Sequence, residues 1–102
     1  MYRASDRVAH AEWIDRLEAV AEELELDAEA RSIAVDVFLS TMPVEERSKP
    51  AVLAASCYAG SLIAGDARSQ GEIADAAGVS RLAIQSRWKA MLEDAGFDPP
   101  SW

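Results

Sequence analysis

The sequence contains one cysteine, Cys57, and one histidine, His10, among its 102 residues. A single thiol excludes an internal disulfide, and one Cys with one His cannot furnish the four ligands of the usual zinc site within one chain. Any metal would have to be held by carboxylates. No apolar run approaches the ~18 residues that a membrane span requires, and the N-terminal MYRASDRVAHAEW lacks the apolar stretch and cleavage site of a signal peptide. A cytoplasmic protein is therefore expected. Glycine (5) and proline (4) are scarce, and lysine is confined to Lys49 and Lys89. Half of the residues are apolar, which suits one compact domain with a hydrophobic core of its own.

Chemistry finds little to work with. His10 stands among acidic residues with no nucleophile and base paired to it. Cys57 lies in an apolar segment and reads as a small core residue. Glu22, Glu23 and Glu25 form a run of like charge at a helix end, the usual mark of a solvated face. There is no phosphate-binding loop. Neither an enzyme nor a cofactor is expected.

The charge is one-sided: 18 Asp and Glu against 10 Lys and Arg, a net −8. A general polyanion binder would need the opposite balance, because basic groups supply most nucleic-acid affinity. The excess is uneven, however. Residues 1–65 hold twelve acidic and six basic side chains, residues 66–92 three acidic and four basic, and residues 93–102 three acidic and none basic. Few lysines and acids spread along helices also suit work in concentrated salt.

Apolar residues recur at helical spacing almost throughout, so the fold class expected is all-α. A first helix over about Ser5 to Leu24 places Trp13, Leu17, Val20 and Leu24 on one stripe with Ile14 and Ala21 beside it. A second follows Asp27, a good N-cap, through Ile33, Ala34, Val37 and Phe38 to about Thr41, with Pro43 beyond. The third, Pro50 to Ala64, has no charged side chain, so other helices must enclose it. Ser48 is placed to cap it, and Pro50 fits its first turn. A fourth starts at Ser69, where Ser-Gln-Gly-Glu has the form of a capping box with Glu72, and ends near Gly78. A fifth runs from Ser80 to about Asp94, burying Ile84, Trp88, Met91, Leu92 and Ala95 before Gly96. Trp13, Trp88 and Tyr58 thus fall on core stripes rather than on a base-stacking platform. The expected domain spans residues 1–96, and residues 97–102 form a tail in which Phe97 or Trp102 is available to dock on the body or on a partner.

Gln70 to Trp88 joins a short helix to a longer one through a turn containing Gly78, the layout of a helix-turn-helix over residues 69–92. With Ile84, Trp88 and Met91 inward, Arg81, Leu82, Gln85, Ser86 and Lys89 face out. Arg and Gln can bond base edges in the major groove, Leu82 can meet a thymine methyl, and Arg87 and Lys89 can reach phosphates. Ser69, Gln70 and Ser80 complete the candidate DNA-binding set at the helix starts. A helical corner with a solvated outer face fits the same pattern.

The stretch from Ser48 to Leu92 resembles the second cyclin-like repeat of archaeal transcription initiation factor B, the relative of eukaryotic TFIIB. The likeness rests on Ser48, Lys49, Pro50, Ala54, Ala55 and Tyr58, then on Ser69, Gln70, Glu72, Ile73, Ala74, Ala77, Gly78, Val79, Ile84, Arg87, Trp88 and Lys89. It is weak before residue 40. It implies five helices around a central third, and promoter contact through the second helix of the motif. Full-length members carry a zinc ribbon and two repeats, whereas this sequence has room for one repeat and no Cys pairs, so a stand-alone single repeat is expected. Leu82 and Gln85 stand where the family commonly has Val and Arg. Losing that Arg removes a guanine contact, so sequence preference is not expected to be inherited intact.

Two functions remain open on these grounds. One is a transcription regulator that binds promoter DNA through the helix-turn-helix. The other is a protein-interaction module that binds the TATA-binding protein, polymerase or factor B without touching DNA. A basic outer face on the fifth helix favours the first, and a face neutralised by acidic neighbours favours the second.

The acidic crowding of Glu18, Glu22, Glu23 and Glu25 carries a prediction. Screening shortens from ~30 Å at 0.01 M salt to ~3 Å at 1 M, which relieves like-charge repulsion. The melting temperature should rise across a sodium chloride series, and a melting temperature indifferent to salt would discard the charge argument.

Overall fold

The protein is described by a computed structural model over residues 11–43 and 45–97; the expected helix start at Ser5, His10 and Trp102 lie outside the described residues. Six α-helices appear there in chain order: α1 (Ala11–Glu23), α2 (Ala28–Ser40), α3 (Lys49–Ile63), α4 (Gln70–Ala77), α5 (Arg81–Gln85) and α6 (Trp88–Asp94). A 3-10 turn, Glu46–Ser48, leads into α3. No strand occurs among the described residues, and none of the helices is long and apolar enough to cross a membrane.

α3 is the centre, and α1, α2, α4, α5 and α6 all pack on it. Ten of its fifteen residues are buried, as the charge-free run from Pro50 requires, and the buried set includes Lys49 at its first turn. Its two buried hydroxyls stay satisfied within the helix: Ser56 Oγ donates to the Val52 carbonyl at 2.8 Å and Ser61 Oγ to the Tyr58 carbonyl at 2.8 Å. Burial pushes the Cys57 thiol up to about 12, so it stays protonated and inert at neutral pH. Ser48, expected to cap α3, makes no side-chain cap bond: it ends the 3-10 turn in the αR conformation, its N–H donating to the Glu45 carbonyl, and lacks the extended backbone from which a cap side chain accepts from the first turn.

α2 begins as expected: Asp27 is extended, and its Oδ1 accepts from the Ala30 N–H at 2.8 Å. α1 keeps Leu17 inward but is turned toward the flanking Ile14 and Ala21. Ile14, Leu17 and Ala21 are buried, whereas Trp13, Val20 and Leu24 are half-buried at its edge. Two adjacent apolar stripes compete on that helix, and the one with the small Ala21 allows closer approach. Trp13 packs against the core from its edge, partly buried, with the Arg16 guanidinium 4.5 Å from its ring centroid and Lys49 Nζ 5.8 Å.

The fifth expected helix is two. Arg87 adopts φ −121°, ψ −35° between α5 and α6, and its Nη1 donates to the Ala83 carbonyl at 3.1 Å. In an unbroken helix that carbonyl would accept the Arg87 N–H, which instead donates to Ile84. The break leaves Ile84, Trp88, Met91 and Leu92 buried as the periodicity requires. Trp88 meets the half-buried Tyr58 edge-on, centroids 5.4 Å apart, which joins α6 to α3. Phe97 packs against the core beyond Gly96, whose φ is +88°.

α2 and α3 cross at backbone distance. A Cβ placed on Gly60 would stand 2.7 Å from the Ala30 carbonyl oxygen and 2.9 Å from the Ala34 nitrogen. Ala normally favours a helix over Gly by about 1 kcal/mol. Here the blocking atoms are backbone, so Gly60→Ala should instead cost about 1–3 kcal/mol, as overpacking does. Denaturant titration measures it; a variant as stable as the parent would mean the two helices can separate freely.

Candidate nucleic-acid interface

Two short helices and the turn between them position the candidate residues. Ser69 starts α4 with a reciprocal cap: its Oγ accepts from the Glu72 N–H at 3.1 Å, and Glu72 Oε1 accepts from the Ser69 N–H at 3.2 Å. Gly78 ends α4 at φ +71°, a conformation glycine takes without steric cost, and the Val79 N–H donates back to the Ala74 carbonyl at 3.0 Å. Ser80 then caps α5, its Oγ accepting from the Ala83 N–H at 3.1 Å. Ile73, Ala74 and Ile84 form the buried side of the corner.

Ser69, Gln70, Arg81 and Gln85 come together on its outer side. Gln70 Nε2 donates to Gln85 Oε1 at 2.5 Å, linking the first turn of α4 to the end of α5. The Arg81 stem runs beside Gly71, where a Cβ would lie 3.8 Å from Arg81 Cδ. Leu82 is 74% exposed and is the one large apolar side chain so exposed among the described residues. Ser86 and Lys89 are exposed too, with Lys89 Nζ 5.7 Å from the Trp88 ring centroid. Arg87 is drawn away from this face: it is half-buried, with Nη1 on the Ala83 carbonyl and on Ser86 Oγ. Ser69 and Ser80 each accept one cap bond and keep a hydroxyl proton to donate. Between Asp75 and Glu93 the sequence has Arg81, Arg87 and Lys89 and no acidic residue. The nearest acids on α4, Glu72 and Asp75, are exposed.

A pair of residues that sequence reasoning did not single out anchors the start of α4. Arg68 Nη1 donates to Asp66 Oδ1 at 2.7 Å, while Nε reaches the Leu24 carbonyl at 3.1 Å and Nη2 the Glu25 carbonyl at 3.3 Å. Asp66 Oδ2 accepts from the Asp27 N–H at 3.1 Å. The α1–α2 loop and the α3–α4 loop are thus tied together, and Glu25 is held there at φ +57°. The Arg68 hydrogen bond, joined by that from the Asp27 N–H, lowers the Asp66 carboxyl from its ordinary value, and Asp66 raises Arg68 in turn. The only local signal was an Asp and an Arg two residues apart after Gly65.

Among the described residues no three His, Cys, Asp or Glu side chains gather to hold a metal ion. An open groove of about 400 Å³ runs between α1, the start of α3 and the end of α4, lined by Trp13, Arg16, Val20, Pro50, Leu53 and Ala77 among others. It is apolar, without convergent polar groups that would orient a small molecule.

Comparison with known proteins gives a consistent result. A family model described as the transcription factor TFIIB repeat matches residues 8–94. The transcription initiation factor IIB of Methanococcus maripaludis (strain C5 / ATCC BAA-1333) is 32% identical over 95 residues, covering 90% of this chain and 28% of that protein. Its counterpart from Methanothermococcus thermolithotrophicus is 33% identical over 88 residues, covering 83% and 26%. That of Pyrococcus abyssi is 28% identical over 89 residues, covering 84% and 30%. The chain thus spans less than a third of the length of these relatives.

The Asp66–Arg68 anchor predicts a pH dependence. A carboxyl lowered in the folded state adds stability that is full above its unfolded value, about pH 4, and is lost as pH falls through the folded one. Asp66→Asn should lower the melting temperature at pH 7, and the gap to the parent should close as acid takes the solution below the usual carboxylate range. A gap unchanged from pH 7 to pH 2 would mean the carboxylate charge contributes nothing.

Proposed function

The chain belongs to the family of the transcription factor TFIIB repeat, and from that footing we propose that it acts in transcription initiation by binding promoter DNA, with residues 69–92 as a helix-turn-helix. The observation that carries this reading is the outer face of α5: Arg81, Leu82 and Gln85 project together from a stretch with three basic residues and no acidic one, in a chain of net charge −8. An exposed Leu flanked by Arg and Gln is poorly suited to bulk water and well suited to a major groove, where apolar methyls and hydrogen-bonding edges alternate. Lys89 and Ser86 reach phosphates from the same side, and the hydroxyl protons of Ser69 and Ser80 are available at the two helix starts. Arg87 joins them only by leaving the Ala83 carbonyl. No covalent chemistry takes part.

A second reading is a docking module for a basic protein of the initiation machinery, such as the TATA-binding protein. It is favoured by the acidic remainder of the chain, which complements a basic partner and repels DNA. Polymerase and a full-length factor B are further candidates of that kind.

Fluorescence polarisation with promoter duplexes at several salt concentrations separates the two. On the DNA reading, Lys89→Ala weakens binding to all sequences alike and lowers the salt slope by about 1, whereas Gln85→Ala chiefly lowers discrimination between sequences. Absence of amide chemical-shift changes at residues 81–89 on adding promoter DNA, together with capture of the TATA-binding protein, would hand the function to the second reading.

A further inference from the structure

Phe97 packs against the core, but no role described so far uses Trp102, which follows it after Asp98, Pro99, Pro100 and Ser101. The groove between α1, the start of α3 and the end of α4 is equally unused. Its walls are apolar, formed by Val20, Pro50, Leu53 and Ala77 with the half-buried Trp13 beside them. Arg16 is the one charged residue among those that line it, in a chain of net charge −8. Arg16 pairs with Glu12 at 3.5 Å, with both side chains more than half exposed, and so weak a pair yields readily to another carboxylate. A groove of about 400 Å³ with an aromatic at its edge and a cation in its wall fits a short extended segment that carries prolines, one large apolar side chain and one acid.

Two terminal segments lie outside the described residues. Residues 1–10 bring Arg3 and Arg7 against a single acid, Asp6, and would set like charge beside Arg16. Residues 98–102 have Asp98 as their only charged side chain, two prolines, which favour an extended backbone, and Trp102. Only the second segment matches, but the groove of its own body is out of reach. α6, which leads to Phe97, packs on α3 and α2, whereas the groove follows the seam of α1 and α4. Around α3 the two are separated by α2 on one side and by α5 on the other. Five fully extended residues span at most ~18 Å, and the body measures 25 Å across its shortest axis. We propose that the groove receives residues 98–102 of a second copy of the chain, Trp102 entering beside Val20, Leu53 and Ala77 and Asp98 pairing with Arg16, and that two copies exchange these segments reciprocally. The exchange closes a two-fold dimer in which each copy both gives and receives a segment. So small a contact makes a weak dimer, opposed at long range by two net charges of −8. It does not depend on DNA binding by α5.

The test is sedimentation equilibrium of the full chain from micromolar to millimolar concentration at about 0.15 M salt, where a screening length of ~8 Å damps the net repulsion and spares charges in contact. The parent should show a reversible monomer–dimer equilibrium, with amide chemical shifts at Arg16, Val20, Ala77 and Gly78 that move with concentration. Trp102→Ala should abolish both at an unchanged melting temperature. Arg16→Glu and Asp98→Arg should each abolish association when alone, because each sets like charges against one another. An equimolar mixture of those two variants should associate again, since every groove then meets a segment of opposite charge. If Arg16→Glu fails to fold, Trp102→Ala alone decides. A parent that stays monomeric at millimolar concentration, a Trp102→Ala variant that dimerises as the parent does, or a mixture no more associated than its components would overturn the exchange. Groove shifts that differ between the parent and Trp102→Ala at every concentration, without a dimer, would place the segment on its own body and overturn it as well.

Discussion

The contact on which the rest of the structure depends is the approach of α2 to α3, where Gly60 leaves no room for even one carbon against the Ala30 carbonyl and the Ala34 nitrogen. Two helices that meet along small residues place the larger side chains on either side of the crossing, here Phe38 and Val37 from α2 and Leu53 and Cys57 from α3, in one continuous core. A helix with no charge after its first residue, Lys49, must be enclosed by others; covered on several sides, it becomes the post to which every other element is fixed. α6 reaches it through the Trp88–Tyr58 edge contact, α1 through Leu17 and Ala21, and α4 through Ile73 and Ala74. The outer face of α5 points to solvent because its inner residue, Ile84, is anchored in that core.

Much of this was legible from the sequence, because the governing features are local or periodic. The charge-free run announced the central helix. Asp27, the Ser69–Glu72 pair and Gly78 are end signals whose partners lie within four residues, so reading along the chain suffices. The errors share a cause. Whether Trp13 or Ile14 faces inward depends on how closely a neighbour approaches, which periodicity does not contain. At the break the Arg87 side chain, and not its backbone N–H, holds the Ala83 carbonyl, a substitution that periodicity does not contain. Ser48 looked like a cap until the 3-10 turn before it was known.

The candidate site divides in the same way. The outward direction of Arg81, Leu82, Gln85, Ser86 and Lys89 follows from the inward direction of Ile84 and Trp88. The retreat of Arg87, the bond between Gln70 and Gln85, and the grip of Arg68 on carbonyls 43 and 44 residues away depend on how helices and loops cross. The anchor at Arg68 matters to the face it does not touch. By tying the α3–α4 loop to the α1–α2 loop immediately before Ser69, it fixes where α4 begins, and Gln70 is the next residue along.

The break at Arg87 has a further consequence for how much a partner duplex could be interrogated. With five residues at 1.5 Å each, α5 is about 7.5 Å long, whereas a continuous helix to Asp94 would be nearly three times that. At 3.4 Å per base pair, its exposed edge lies alongside about two letters of the genetic text. A word so short recurs everywhere in a genome, and the competing sites would vastly outnumber the intended one. If this face reads DNA, it can check a spelling but cannot by itself find an address.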